Sequence, residues 1–78
     1  RYDVMLIPRN TADDAMILEF KVFDAEEENS LRDTVKSALH QIVERQYDAE
    51  LLEAGLAQKQ IHHYGFAFEG KNVLIDGQ

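Results

Sequence analysis

Apolar and polar positions follow two different periods along this chain, and the change of period divides it into elements. Residues 2–8 (YDVMLIP) form a short apolar run of strand-forming types. Pro8 stops the run, because proline has no N–H to give to a ladder. Residues 9–14 (RNTADD) are polar and turn-like. A second apolar run, AMILEFKVF, spans residues 15–23 and is interrupted only by Glu19 and Lys21. Two such runs joined by about six polar residues predict an antiparallel hairpin. Both are nearly continuous in apolar residues, so both of their faces are expected to be covered, as in a central sheet.

The period then becomes helical. The acidic stretch 24–29 (DAEEEN) suits a helix start, with Glu26 to Glu28 as solvated charge at the positive end of the dipole. Ser30 with Asp33 offers a second start through a capping box. Leu31, Val35, Ala38, Leu39 and Ile42 mark an amphipathic helix running to about Gln46, with His40 on its surface. Asp48 is placed to cap a shorter helix through Leu51 and Leu52, closed by Gly55. Residues 61–68 (IHHYGFAF) read as a strand, 69–72 (EGKN) as a turn and 73–75 as a return strand. On that strand the adjacent His62 and His63 point to opposite faces, which suits structural roles rather than a shared metal. Tyr64, Phe66 and Phe68 share one face and read as core more readily than as a base-stacking platform. The order is β-β-α-(α)-β-β, with no internal repeat, low-complexity segment or linker.

Composition narrows the picture. The chain has 78 residues, one small domain, and a chain of that length buries only about 60% of its unfolded surface. It contains no Cys, which excludes disulfides and thiolate metal sites. No apolar stretch approaches the ~20 residues needed to span a bilayer. The sequence opens at Arg1 with neither an initiating Met nor a signal-peptide layout, and it reads as a piece of a longer cytoplasmic protein. The net charge is −7, from 15 acidic and 8 basic residues, which opposes a broad non-specific grip on nucleic acid. Carboxylates gathered where a divalent cation would neutralise them soften that objection, as would basic surface elsewhere in a parent protein. The four glycines lack P-loop spacing, so this piece is not expected to bind ATP.

Glu19 and Lys21 carry the chemistry. Alternation puts them on one face of the second strand with Phe20 opposite. An apolar strand rarely takes two charges unless they are paired or bind something. If the hairpin closes Pro8 against Ala15, paired positions sum to about 23 and Asp3 falls opposite Phe20. A shift of one residue sets Asp3 directly across from Glu19, so that two carboxylates and an amine converge. Hard oxygen donors from two carboxylates suit Mg²⁺ or Mn²⁺. A lysine beside such an ion could orient or deprotonate a water, or stabilise developing negative charge, which fits phosphodiester hydrolysis.

The pattern of Asp3, a hairpin loop and Glu19-Phe20-Lys21 resembles the PD-(D/E)XK nuclease superfamily. The surrounding text, YDVMLIP, MILEFKV, ALHQI, YGFAF and KNVLI in that order, is similar to one branch. That branch is the nuclease-like C-terminal domain of bacterial proteins with an AAA-ATPase-like N-terminal part. The resemblance implies the restriction-endonuclease-like α/β core with a mixed central sheet, lacking here the family's N-terminal helix and first strand. It implies Asp3 and Glu19 as ligands of Mg²⁺ or Mn²⁺, Lys21 as the residue assisting the water, and Gln41 on the following helix as a further site residue. Tyr47 matches, at an altered spacing, the tyrosine of a related Gln-to-Tyr helix motif. Tyr2 stands where the superfamily commonly has Pro before the Asp.

Blander readings stand beside these. Glu19 and Lys21 could form an edge-strand ion pair of little energetic worth. Asp3 could be a solvent contact at a strand start, and Gln41 an exposed helix residue. Two functions follow: a metal-dependent nuclease acting on DNA or RNA, or a catalytically inactive nuclease-like fold retained as a binding or assembly module of an ATPase-like parent. Exposed sheet edges would also allow two copies to pair as a homodimer.

Overall fold

Asn10 turns the chain between the first two strands: its side chain accepts from Ala12 N at 2.9 Å and its carbonyl from Asp13 N at 3.0 Å. The computed structural model describes residues 2–78, and Arg1 lies outside them. The strands are β1 (Tyr2–Leu6), β2 (Ala15–Val22), β3 (Ile61–Glu69) and β4 (Asn72–Gly77). Between β2 and β3 run α1 (Leu31–Glu44), α2 (Tyr47–Glu53) and a 3-10 turn, Gln58–Gln60. The sheet order is β1-β2-β3-β4; β2 and β3 are parallel and both outer pairs antiparallel. A parallel pair needs a crossover, and the two helices provide it. This is the mixed α/β sheet, in the order β-β-α-α-β-β, that the sequence pattern predicts.

Of the two possible starts for α1, Ser30 is the one used. Its Oγ accepts from Asp33 N at 3.4 Å, and the Asp33 carboxylate accepts from Asn29 N at 3.0 Å. The acidic stretch before it is a turn, held by amides 27 and 28 donating to the Asp24 carbonyl. Asp48 does not cap α2. Gln46 holds the N-cap position with a left-handed backbone (φ 56°) and no capping side-chain hydrogen bond, and Asp48 lies inside the first turn. Gly55 closes that helix at φ +108°, a conformation costly for any residue with a Cβ.

The helix-facing side of the sheet carries Ala15, Ile17, Ile61 and Ala67, all buried under Val35, Ala38 and Ile42 of α1 and Leu51 of α2. The helix approaches closely at Gly65, where a Cβ would lie 3.1 Å from the Val35 carbonyl and 3.2 Å from the Ala38 Cβ. Gly65 is the register partner of Glu19. The helix therefore packs tightly on the sheet beside that carboxylate.

The expectation that both faces are covered does not hold within the described residues. Leu6, Met16, Val22, Val73 and Ile75 lie on the side away from α1 and are exposed. Tyr64, Phe66 and Phe68 share this open face and lie outside the buried core, whereas the sequence pattern had placed them in it. Phe20 stacks there on Phe66 at 4.8 Å and on Phe68 at 6.2 Å. The open face is apolar all the same, its rings stacking on one another rather than against a second layer among the described residues.

Candidate metal and catalytic site

The hairpin register decides whether the acidic groups meet. Asp3 pairs with Glu19, with Val4 opposite Leu18 and Met5 opposite Ile17. This is one residue off a register closing Pro8 on Ala15, because the ladder ends at Leu6–Met16 and leaves Ile7 and Pro8 in the loop. Directly opposed residues project to the same side with Cβ atoms about 4.5–5.5 Å apart. Asp3 and Glu19 thus share the helix-facing side, Asp3 half-buried at its rim and Glu19 fully buried beneath α1. A buried carboxylate at the end of the row Ala15, Ile17 is costly unless charge or hydrogen bonds compensate it.

Lys21 is on the same face but turns elsewhere. It lies one pleat further along, about 6.8 Å in a strand. Its ammonium donates to Glu28. Glu28 is buried in the turn before α1, where its carboxylate also accepts from Asp24 N at 2.9 Å and from the Thr34 hydroxyl at 2.8 Å. The reading of Glu28 as solvated charge is corrected by this network. Burial works against its ionised form, but the Lys21 ammonium, the Asp24 amide and the Thr34 hydroxyl outweigh it and hold the carboxyl below its ordinary value.

Asp3 takes its partners from the junction of the helices. Arg45 Nη1 donates to Asp3 Oδ2 at 3.0 Å and to the Tyr47 hydroxyl at 3.2 Å, and the Tyr47 hydroxyl donates to the same Oδ2. The left-handed Gln46 between them breaks the helix and lets residues on either side of it converge on Asp3. The phenolic oxygen of Tyr47 raises the Arg45 guanidinium above its ordinary value; burial opposes this, and the charges of Glu19 and Asp3 add to the rise.

The whole chain, residues 1–78, matches the PD-(D/E)XK nuclease superfamily. The protein belongs to that superfamily. Neither curated proteins nor solved structures gave a match.

Asp3, Glu19 and Lys21 all lie on the helix-facing side of the β1–β2 pair. Gln41 sits half-buried on α1, the helix packed over β2 and β3, one turn before Arg45. Arg45 carried no pattern by which sequence reading could single it out, and Tyr47 carried a weak one. His62 and His63 take opposite faces, as alternation requires: His62 reaches Asp14 at 2.8 Å, and the buried His63 reaches Asp48 at 2.7 Å. His40 is an exposed partner of Glu44.

Among the described residues no cluster of three or more His, Cys, Asp or Glu side chains is arranged as a metal cage. Two carboxylates on adjacent strands could supply hard oxygen donors, a set suited to Mg²⁺ or Mn²⁺ completed by water rather than to zinc or an all-protein calcium site. Two cavities, of about 280 and 250 Å³, flank α1, one beside Lys36, His40 and Gln78 and the other beside Gln46 and Leu52. Neither is lined by Asp3, Glu19 or Lys21. No helix among the described residues is long and apolar enough to cross a membrane.

Proposed function

We propose that this domain hydrolyses phosphodiester bonds in DNA or RNA with Mg²⁺ or Mn²⁺ held by Asp3 and Glu19. The observation that carries the reading is the direct cross-strand pairing of these two carboxylates within a PD-(D/E)XK nuclease chain. Such a cation, when bound, lowers the pKa of a water and offsets charge on the phosphate. Asp3 and Glu19 supply the hard oxygen donors, with Glu19 fixed by burial and Asp3 oriented by Tyr47. Lys21 is held by Glu28 in the unloaded site, and its ammonium keeps N–H groups that would orient the attacking water or meet the negative charge that develops once it turns toward the carboxylates. Gln41 contributes an amide from α1 that can orient the water or a phosphate oxygen. Water adds to phosphorus, one P–O ester bond breaks, and the leaving oxygen takes up a proton.

The reading includes a bacterial parent with an AAA-ATPase-like N-terminal part, acting in the cytoplasm, as the resemblance to that branch implies. Its test is incubation of the intact protein with Mg²⁺ or Mn²⁺ and either plasmid DNA or structured RNA. Cleavage is expected, lost at least a hundredfold in Asp3→Asn and Glu19→Gln (on the order of the effect of removing one essential electrostatic group). Absence of both cleavage and metal binding in the unmodified protein rejects it.

Two observations favour a second reading, a nuclease-like fold kept for binding or assembly. The chain carries a net charge of −7, and the Lys21 amine is already engaged by Glu28. Under that reading Glu19→Ala and Lys21→Ala leave the parent's activity intact.

A further inference from the structure

Two carboxylates set directly across an antiparallel pair repel one another, and like charges in that position destabilise a sheet. A cation beside either carboxylate offsets that repulsion. Lys21, which shares their face, gives its ammonium to Glu28 instead. Arg45 is such a cation: its Nη1 lies 3.0 Å from Asp3 Oδ2, on the carboxylate that is paired directly with Glu19.

We propose that Arg45 is the resident counter-cation of the Asp3–Glu19 pair and yields the Asp3 carboxylate when a divalent cation binds there. This rests on the metal-site reading above. The pair is built to be exchanged. The Arg45 and Asp3 side chains are 44% and 32% exposed, and half-exposed ion pairs are worth little. A Mg²⁺ ion needs its carboxylate oxygen at about 2.1 Å, and a guanidinium on that oxygen would be forced against it, like charge on like. The two cations therefore compete for one carboxylate, and each weakens the other's binding by the same factor. Tyr47 behaves differently. Its hydroxyl is a neutral donor to Asp3, so it orients the carboxylate with either cation present. Residue 45 is thus a positioning residue of the unloaded site, keeping the two acids together at the register that metal binding requires.

The test uses the intact protein, labelled at arginine with ¹⁵N. The Nε–H signal of Arg45, assigned by its loss in Arg45→Gln, is followed through a Mg²⁺ titration, and Mn²⁺ affinity is measured by calorimetry for the unmodified protein, Arg45→Gln and Arg45→Lys. The Arg45 signal is expected to move as Mg²⁺ saturates. Arg45→Gln is expected to bind Mn²⁺ about two- to fivefold more tightly, the range over which a half-exposed ion pair acts. Arg45→Lys, which keeps the charge, should stay near the unmodified value. An Arg45 signal unmoved at saturating Mg²⁺ overturns the proposal without needing any variant to fold. So does Arg45→Gln binding no more tightly than the unmodified protein while retaining its amide spectrum. Failure of the unmodified protein to bind either metal removes the metal-site reading itself, which separates the two outcomes.

Discussion

Glu28 shows how much of this site depends on one side chain outside the sheet. Its carboxylate joins the end of β2, the turn amide of Asp24 and the first turn of α1 through Lys21 and Thr34. Because these partners favour the ionised form, its folded pKa lies below the unfolded value, near 4.5. The stabilisation is therefore fully present above about pH 4.5 and is lost as the pH falls through the lower, folded value. Glu28→Gln is expected to cost about 1.5–3 kcal/mol at neutral pH, the worth of a hydrogen bond to a charged group. The gap between the variant and the unmodified protein should narrow in acid, and urea midpoints measured between pH 3 and pH 7 check both statements. The sequence made Glu19 and Lys21 legible because they break an apolar strand. It placed Asp3 within one residue of its true register. Arg45 was not legible, since it reaches Asp3 across 42 positions from a polar helix end that has no periodic signal. Glu28 was hidden among identical neighbours, where only the fold distinguishes the buried acid from the solvated ones.

At the scale of elements, α1 and β3 meet so closely that backbone size controls their spacing. Gly65 has no room for a methyl group: its nearest neighbours would be the Val35 carbonyl, the Ala38 Cβ and the Leu39 Cγ, at 3.1, 3.2 and 3.3 Å. None of these is the loose end of a long side chain, so the helix itself would have to shift. Gly65→Ala is expected to destabilise by about 1–3 kcal/mol, the usual cost of overpacking. Since Gly65 is paired with Glu19, the same shift should weaken Mn²⁺ binding, read in one calorimetric titration beside a thermal melt. The elements themselves were readable from their periods: apolar runs gave the strands, and the Leu31-to-Ile42 spacing gave α1. Their ends were less so. Two acidic or capping signals lay within ten residues of each other, and Ser30 prevailed because its extended backbone lets the hydroxyl meet Asp33 N. The junction at Gln46 escaped notice because a left-handed glutamine carries no sequence mark of its conformation.

For the whole molecule the governing fact is that, among the described residues, its sheet is covered on one side. A chain of this length has little core to spare, and what it has lies between α1, α2 and the row Ala15, Ile17, Ile61. The opposite face is as apolar in sequence but holds no buried cluster among the described residues, and its aromatic residues stack on one another at the surface. Two substitutions of similar residues on opposite faces should therefore differ sharply. Ile17 is 0% exposed, and Ile17→Ala is expected to cost about 2–5 kcal/mol through lost burial and the cavity left behind. Ile75 is 52% exposed on the other face, and Ile75→Lys should change stability by no more than about 0.5 kcal/mol, because its side chain can leave the sheet for water without opening a void. Denaturant unfolding of both variants measures the contrast. Equal, large losses would mean that a second layer covers the open face in the folded protein, so that the core extends through the sheet and Glu19 is buried in the centre of a sandwich rather than beneath a single layer of helices.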